Sequence, residues 1–547
     1  MSEQESTGGE FEREPAPTSS LLGFKSFIGM YAGEHCAGTE LMLGPLFVAA
    51  GVSAYDLIVG LLLGNALAVL SWMLLCAPIA TRARLTLYYQ LEKICGRNLV
   101  TLYNIANGVA FCFLAGSMIT VSATALGVWF NFPMPGLNDI YPTSVSWVIA
   151  VAVLGVLVSL VAATGYSMVA RFANMAAPWM VLVFLAFGLI GLREFLLETG
   201  KEVHSLSDLW ALATTDIWKG GEPLEGQSKF TFWHVTFFAW FCNMAMHIGM
   251  SDLSVFRFAK KSWYGLATAS GMYVGHFMAW ISASILYALQ LHRDPTNTDV
   301  LPGPLAYQAA GVAGLICVVI AGWTTANPTI YRAGLAFQAL VPRASRFWVT
   351  MATGLVVTIV GMFPGVAMQL LGFVAIYGLI LMPMGAVIFC DFWLMEKLGL
   401  KSYWAEHEQV PFNWAAGIAW IGTLAICVGM VVGFPEVALG GVKIFEIYFV
   451  ALPGWFIASA LYLGISWVMQ SAERMRVASL VARPLAAVAI IGTLVPPVLY
   501  LMGSISLENM KYTMLGFTVL WFLTVPLVDR QTRGEKIMED AGQEVVI

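Results

Sequence analysis

The chain has 547 residues, of which 59% are hydrophobic and only 11% are charged, and its formal net charge is −5. Because ordinary soluble domains carry about 25% charged residues, this composition excludes a soluble globular protein and predicts an all-α polytopic membrane protein. The sequence contains no G-x-x-x-x-G-K-[ST] nucleotide loop, which disfavours an ATP-driven pump within this chain, and its 7 histidines show no H-E-x-x-H metal-binding spacing. We expect no enzymatic activity, no cofactor and no nucleic-acid partner.

Apolar segments long enough to cross a bilayer recur along the whole chain. A hydrocarbon core of about 30 Å needs about 20 apolar helical residues. This rule predicts 12–14 transmembrane helices, and the candidate segments lie near 27–51, 54–78, 99–130, 144–166, 170–193, 231–254, 263–290, 306–338, 347–364, 367–394, 413–433, 444–468, 483–503 and 512–529.

The ends of the chain and its charges predict an orientation. Residues 1–24 are predicted to be a disordered cytoplasmic tail and residues 530–547 a cytoplasmic C-terminal tail, and we expect no cleaved signal peptide. With both termini inside, most of the 28 Lys and Arg residues fall in cytoplasmic segments, as the positive-inside rule requires. The exceptions are Arg193, Lys201, Lys219, Lys229, Arg293, Lys443 and Lys511. We therefore predict a multi-pass protein of the cytoplasmic (inner) membrane, surrounded by lipid.

Two spans carry signals of a broken helix. The first reads GMYAGEHCAGTELMLGP over residues 29–45, and the sixth reads WFCNMAMHIGMSD over residues 240–252. Irregular backbone at membrane depth survives only where it lines a cavity, and interrupted segments at matching places of two five-helix halves indicate a transporter site. The polar and aromatic candidates in these breaks are Glu34, His35, Thr39, Glu40, Trp240, Asn243 and His247.

The acids and histidines of these breaks can be interpreted either as functional residues or as structural ones. A buried carboxylate at Glu34 or Glu40 must bind a proton or pair with a cation, which suits a proton carrier or the counter-charge for a cationic substrate. Alternatively, Glu34 or Glu40 only lies near a water-filled vestibule and helps to keep it hydrated. His35 and His247 either contribute to the site or are buried neutral histidines bonded to backbone carbonyls.

The eighth span contains a polar segment, GWTTANPTIYRAG, over residues 322–334. The hydroxyls of Thr324 and Thr325 are suitable ligands for a small hard cation such as Na⁺. Pro328 removes one backbone donor and frees a carbonyl in the preceding turn. The segment therefore predicts an ion-coupled transporter, and the alternative is that these hydroxyls only hold neighbouring helices together.

Four stretches resemble the nucleobase–cation symporter-1 family, the purine–cytosine permeases, over about residues 30–410. They are GVSAYDLIVGLLLGN (51–65), FRFAKK (256–261), GWTTANPTIYRAG and MPMGAVIFCDFW (382–393). The chain departs from the family pattern at Ser254, where an Asp is usual, and at Ala326, which replaces an Asn. These departures concern the substrate more than the fold.

The resemblance implies a LeuT-type fold, in which spans 1–5 and 6–10 form inverted repeats. The ten-helix core would cover residues 25–395, with repeats at about 25–195 and 230–395, and 396–529 would add further helices. It implies a coupling ion, Na⁺ or H⁺, with Na⁺ held by the Thr324 and Thr325 hydroxyls and by carbonyls near Glu34 and Ala37. It implies an aromatic heterocycle that stacks on an aromatic residue of span three, and Phe111 falls closest to that place. We interpret Trp240 as a candidate for the other face of the stack, and the alternative for both residues is ordinary lipid or core packing. The amide candidates are Asn107, Asn243 and Asn327.

These observations lead to one leading prediction and two alternatives. The leading prediction is a secondary active transporter that imports a nucleobase-like heterocycle together with Na⁺ or H⁺, by alternating access. The first alternative is a transporter of the same fold for a cationic amine or an amino acid, with Glu34 and Glu40 as the discriminating residues. The second is a membrane sensor or channel. A homo-oligomer is possible, and the helices after residue 395 are candidates for its interface.

Overall fold

The computed structural model describes residues 11–136, 139–439 and 442–540. Within these ranges the fold is α-helical apart from one short antiparallel hairpin, β1 (Ala438–Leu439) with β2 (Val442–Lys443). The helices are α1 Lys25–His35, α2 Glu40–Ala49, α3 Ala54–Ser71, α4 Ala77–Ala83, α5 Leu87–Cys95, α6 Arg97–Phe130, α7 Val145–Ala163, α8 Tyr166–Thr199, α9 Leu206–Leu212, α10 Phe232–Phe241, α11 Met244–His247, α12 Leu253–Phe256, α13 Met278–Arg293, α14 Pro302–Leu340, α15 Arg346–Gly361, α16 Gly365–Met368, α17 Leu370–Trp393, α18 Trp404–Glu408, α19 Trp414–Gly433, α20 Ala451–Met469, α21 Ala472–Leu501 and α22 Leu507–Asp540. Short 3₁₀ and π segments occur at Thr18–Ser20, Trp72–Cys76, Ala213–Ile217, Ser262–Thr268, Ser270–Phe277 and Glu396–Leu398.

Among the described residues, ten helical stretches are long and apolar enough to cross a membrane. Two shorter apolar helices, α2 and α15, come in addition. The first and sixth predicted spans are missing from the ten because each is divided into short helices, as their glycines and charges predict. The chain is a multi-pass membrane protein.

The predicted first span consists of α1 and α2, separated by the non-helical residues 36–39. The end of α1 presses closely against the π segment Ser270–Phe277. A Cβ atom on Gly271 would lie 2.6 Å from the His35 Nδ1, and one on Gly275 would lie 2.6 Å from the His35 carbonyl oxygen. Only glycine at these two positions therefore lets the broken end of α1 approach so closely.

The predicted sixth span consists of α10, α11 and α12. Thr231 and His234 form a capping box that starts α10. Asn243 interrupts the helix with φ −111° and ψ 23°. Met250, with φ 63°, adopts the left-handed conformation between α11 and α12. The span thus contains two separate interruptions, at Asn243 and at Met250.

One compact unit contains the chain up to Gln90, Val100–Met382 and Glu436–Ala451. In it α1 packs on α8, α2 on α13, α3 on α10, and α14 on α8 and α15. Buried residues of α2, α8, α13 and α14 form an apolar cluster that includes Leu41, Phe184, Phe187 and Val318. The main helical partner of α1 is thus α8 and that of α2 is α13, whereas α14 contacts both halves of the broken first span.

The N-terminal residues of this unit depart from the sequence expectation. Residues 11–24, part of the predicted disordered tail, lie against the folded chain. The Leu22 amide donates to the Phe258 carbonyl over 2.7 Å, and Arg257 Nη1 donates to the Phe11 carbonyl over 2.8 Å. Residues 1–10 and 541–547 of the predicted tails lie outside the described residues.

The other unit contains Leu91–Leu99, Pro383–Pro435 and the chain from Leu452 onward. Here α21 packs along α22. Asp391, near the end of α17, is buried and accepts hydrogen bonds from the Tyr462 hydroxyl over 2.6 Å and from the Tyr403 amide over 3.0 Å. These bonds satisfy a carboxylate that would otherwise destabilise the unit.

Candidate substrate and ion site

A cavity of about 60 Å³ lies at the breaks of the first and sixth predicted spans. Its wall combines acidic, imidazole, amide and hydroxyl groups with aromatic and aliphatic side chains. The lining residues are Glu34, His35, Ala37, Thr39, Glu40, Leu43, Leu114, Met118, Phe238, Cys242, Asn243, Ala245, Met246, His276, Trp280, Thr325, Thr329, Val374 and Tyr377. A few convergent polar groups in an apolar wall are typical of a small-molecule site.

Glu40, the first residue of α2, faces α13 and the π segment before it. Trp280 Nε1 donates to one carboxylate oxygen of Glu40, and His276 Nε2 lies 3.6 Å from the other. The His276 ring stacks on Trp280 with centroids 4.3 Å apart and meets the His35 ring edge-on at 4.6 Å. Glu40 and these aromatic rings therefore form one continuous wall of the cavity.

Glu34, at the end of α1, belongs to a different network. Arg332 Nη1 donates to Glu34 Oε1 over 2.7 Å, and Arg332 Nη2 donates to Asp252 Oδ1 over 2.6 Å. Asp252 also accepts from the Tyr31 hydroxyl over 2.6 Å and from Trp72 Nε1 over 2.7 Å. All five side chains are buried, so the network links α1, the end of the sixth span and α14 away from water.

The two threonines of α14 meet the end of α1. The Thr324 hydroxyl donates to the Gly33 carbonyl over 2.8 Å, and the Thr325 hydroxyl donates to the Glu34 carbonyl over 2.9 Å. Both hydroxyls also lie 3.0 Å from the Ala321 carbonyl oxygen. Five oxygen atoms thus converge beside the cavity, a donor set of the kind that hard cations prefer.

The cavity brings together one group of the residues predicted from the sequence. Of the substrate candidates, it is lined by Glu34, His35, Thr39, Glu40 and Asn243. Of the ion candidates, Ala37 and Thr325 line it as well, and Thr324 lies next to it through its bond to Gly33. The carbonyl of Ala37 accepts the Glu40 amide over 3.0 Å within the turn that starts α2. The carbonyls that face the threonines are therefore those of Gly33 and Glu34.

A second group of predicted residues does not line the cavity. The Asn107 amide donates to the Tyr88 hydroxyl over 3.1 Å, and the buried Phe111 ring packs on Tyr377 at 5.3 Å. The hydroxyl of Tyr377, which lines the cavity, also donates to Asn107 Oδ1 over 3.4 Å, so both residues contact the cavity wall without lining it. Asn327 is buried in α14, and in the described part of the chain neither atom of its amide has a hydrogen-bond partner.

Trp240 and His247 are tied to each other and to α3. The Trp240 indole donates to the Ser71 hydroxyl over 3.0 Å, and its ring stacks on Phe241. His247 is bonded through Nε2 to the Trp240 carbonyl over 3.0 Å. This is the kind of bond expected if His247 is a structural histidine bonded to a backbone carbonyl.

Several cavity residues escaped the sequence analysis. His276 and Trp280 are four residues apart, which places both on the same face of a helix. A histidine within a membrane span, one turn from a tryptophan, could therefore have been recognised as a candidate from the sequence. Tyr377, Phe238 and Thr329 gave no such signal, because membrane aromatics and threonines are mostly packing residues. Arg332, in the polar segment 322–334 of the eighth span, lies in a buried ion pair with Glu34 that the sequence did not indicate.

Comparison with known proteins identifies the fold. The chain is similar to a structure of Mhp1, a nucleobase-cation-symport-1 family transporter, in a closed conformation with bromovinylhydantoin bound, with a TM-score of 0.60 and 14% identity over 84% of this chain and 95% of that chain. The chain is also similar to the inward-facing conformation of Mhp1, with a TM-score of 0.58 and 15% identity over 83% of this chain and 93% of that chain. It is similar as well to a Na⁺-coupled sialic acid symporter in a substrate-bound outward-open state, with a TM-score of 0.57 and 12% identity over 85% of this chain and 93% of that chain.

This chain has the LeuT-type transporter fold. The result confirms the predicted fold class, an all-α protein built on a 5+5 inverted repeat with additional C-terminal helices. No protein-family model and no curated protein matches the sequence. The similar structures are membrane transporters rather than enzymes.

Proposed function

We propose that this chain is a cation-coupled secondary transporter that carries a small nitrogen heterocycle across the cytoplasmic membrane by alternating access. One observation carries the proposal. The Thr324 and Thr325 hydroxyls converge with the Gly33, Glu34 and Ala321 carbonyls directly beside a buried cavity at the break of a membrane helix. Gly33 and Glu34 belong to the last turn of α1, and the C-terminal ends of such half-helices coordinate coupling ions in transporters with discontinuous helices.

Na⁺ is the coupling ion that this donor set fits best, because all five donors are uncharged oxygens and need no proton exchange to bind a hard cation. The Na⁺-coupled sialic acid symporter of similar fold is consistent with this choice. H⁺ coupling is the alternative, and it would need a titratable group such as Glu40 instead of the threonines.

The cavity wall suits a flat ring. Trp280 and Phe238 lie with centroids 5.5 Å apart, and Tyr377 lines the same cavity. Asn243 provides both a donor and an acceptor for the edge of a heterocycle. Together with the sequence resemblance and the fold shared with a hydantoin-bound transporter, this supports membership of the nucleobase–cation symporter-1 family and a nucleobase-related substrate.

Alternating access requires the broken helices to move. A cavity of about 60 Å³ is smaller than the pockets of about 300–1,000 Å³ that hold drug-sized ligands, so substrate entry needs α1, α2 or the sixth span to separate. With both termini in the cytoplasm, Arg332, Glu34 and Asp252 tie α1 to the sixth span and α14 on the cytoplasmic side of the cavity. Opening toward the cytoplasm would then break at least one of these ion pairs.

A ligand screen on purified protein tests the proposal. Thermal stability is measured with and without Na⁺ for purines, pyrimidines, hydantoins, thiamine precursors and small amines, with K⁺ replacing Na⁺ at equal ionic strength. Ligands that bind the folded state raise its melting temperature by mass action. We expect at least one heterocycle to stabilise the protein in a dose-dependent way, and more strongly with Na⁺. Equal effects of Na⁺ and K⁺ for every ligand would contradict Na⁺ coupling.

A further inference from the structure

The two carboxylates in the cavity wall have different electrostatic partners. The side chain of Glu34 is 6% exposed and is neutralised by Arg332, whose Nη1 lies 2.7 Å from it. The side chain of Glu40 is 4% exposed. In the part of the chain that the structure describes, the ion pairs within 4.0 Å of Glu40 include His276 and no Lys or Arg. Among the described residues, Glu34 thus has an arginine partner and Glu40 has neither an arginine nor a lysine partner.

The hydrogen bonds of Glu40 leave acceptor capacity in the cavity. Trp280 Nε1 donates to one oxygen, whereas His276 Nε2 is 3.6 Å from the other, beyond a normal hydrogen bond. A carboxylate offers about four lone-pair sites. The nearby His35 is held by the bond between its Nδ1 and the Tyr31 carbonyl, 2.8 Å long. The second oxygen of Glu40, a residue that lines the cavity, therefore receives no direct hydrogen bond from His276 or from His35 Nδ1.

A buried carboxylate without a cationic partner is costly, and the cost falls when a cation binds it. We propose that Glu40 is the anionic recognition residue of the substrate cavity and selects a flat aromatic cation that presents an amidinium-type edge of two parallel N–H groups. Two parallel N–H donors match the two oxygens of a carboxylate. The stacked rings of His276 and Trp280, 4.3 Å apart, provide an aromatic surface beside that carboxylate, where a flat cation is favoured. This inference rests on the proposed transport function and specifies its substrate class.

Benzamidine and benzamide are matched probes, because they share size and shape and only benzamidine is cationic at neutral pH. Their dissociation constants are measured by calorimetry on the full chain in detergent at saturating Na⁺, for wild type, Glu40→Gln and Glu40→Asp. The control is Glu446→Gln, which removes an acid paired with His234 outside the lining of the cavity. If Glu40→Gln does not fold, Glu40→Ala replaces it.

We expect wild type and Glu446→Gln to prefer benzamidine over benzamide at least tenfold, Glu40→Asp to keep a preference, and Glu40→Gln to lose it. A tenfold change corresponds to about 1.4 kcal/mol. A wild type without this preference, or a preference that survives in folded Glu40→Gln (or in Glu40→Ala where that variant replaces it), overturns the proposal. A role of Glu40 as a proton carrier only would appear as altered pH dependence of transport with no benzamidine preference. Na⁺-dependent stabilisation by a neutral heterocycle, measured separately, would leave the transport proposal standing if this one fails.

Discussion

Arg332 and Glu34 form a buried ion pair in which the guanidinium Nη1 lies 2.7 Å from the carboxylate Oε1, with side-chain exposures of 1% and 6%. The same guanidinium lies 2.6 Å from Asp252 through Nη2. One cation thus compensates two acids that come from the two broken spans. This arrangement joins α1, the sixth span and α14 through a single side chain.

Replacing Arg332 by Met should destabilise the protein strongly. Removing one partner of a buried ion pair typically costs about 3–5 kcal/mol, because the remaining charges stay buried without compensation. The free energy of unfolding is measured by denaturant titration in mild detergent. Arg293→Met is the control, because Arg293 is 40% exposed in its pair with Glu198 and such pairs contribute at most about 1 kcal/mol. Equal losses in the two variants would show that burial of the network is unimportant for stability.

Thr325→Ala should weaken the binding of the coupling ion more than it disturbs folding. The substitution removes one of the five oxygens at the proposed ion site, and we expect the Na⁺ concentration for half-maximal thermal stabilisation to rise at least tenfold. Thr353→Ala is the matched control, because the Thr353 hydroxyl is also buried but bonds the Val349 carbonyl of its own helix over 2.8 Å. An unchanged Na⁺ dependence in folded Thr325→Ala protein would refute the ion assignment.

Trp280→Phe should destabilise the cavity wall by removing the indole donor of Glu40 while keeping an aromatic ring. Hydrogen bonds to charged groups contribute about 1.5–3 kcal/mol, and neutral ones about 0.5–1.5 kcal/mol. Trp240→Phe is the comparison, because the Trp240 indole donates to the neutral Ser71 hydroxyl. We expect the larger loss of unfolding free energy for Trp280→Phe. The reverse order would argue that Glu40 is uncharged in the folded protein.

Gly275→Ala should separate the end of α1 from the π segment. The added Cβ would lie 2.6 Å from the His35 carbonyl oxygen, and overpacking of this kind typically costs about 1–3 kcal/mol. Gly429→Ala in α19 is the control, because nothing lies within 4 Å of the added Cβ and alanine is the better helix former by about 1 kcal/mol. Circular dichroism melts of both variants check the prediction. A Gly275→Ala variant as stable as Gly429→Ala would mean that the contact yields without cost.

The sequence predicted those features of the structure that depend on local residue patterns. The glycines and charges around His35 and Asn243 indicated both helix breaks, and the adjacent Thr324 and Thr325 indicated an oxygen cluster, because unusual residues in an apolar span stand out. The partners of these residues did not stand out. Glu34 and Arg332 are 298 positions apart in the chain, and no local pattern pairs them.

The substrate wall was harder to predict than the breaks, for a related reason. The resemblance points to Phe111 as a stacking residue, and its position in a broken span points to Trp240, whereas the aromatic residues that line the cavity are Phe238, Trp280 and Tyr377. Membrane helices are rich in aromatic residues, so which of them face a cavity depends on helix rotation and on the irregular backbone at the breaks. Those two quantities are set by tertiary packing.

Uptake into proteoliposomes tests the central claim most directly. A radiolabelled heterocycle selected by the thermal screen is followed under an inward Na⁺ gradient, under a proton gradient alone and with no gradient, in parallel with Thr325→Ala. Cation-coupled symport predicts accumulation above the external concentration under the Na⁺ gradient, its collapse when the gradient is dissipated, and its loss in Thr325→Ala. Uptake that only equilibrates, at the same rate under all three conditions, would contradict the claim and indicate a facilitator or channel.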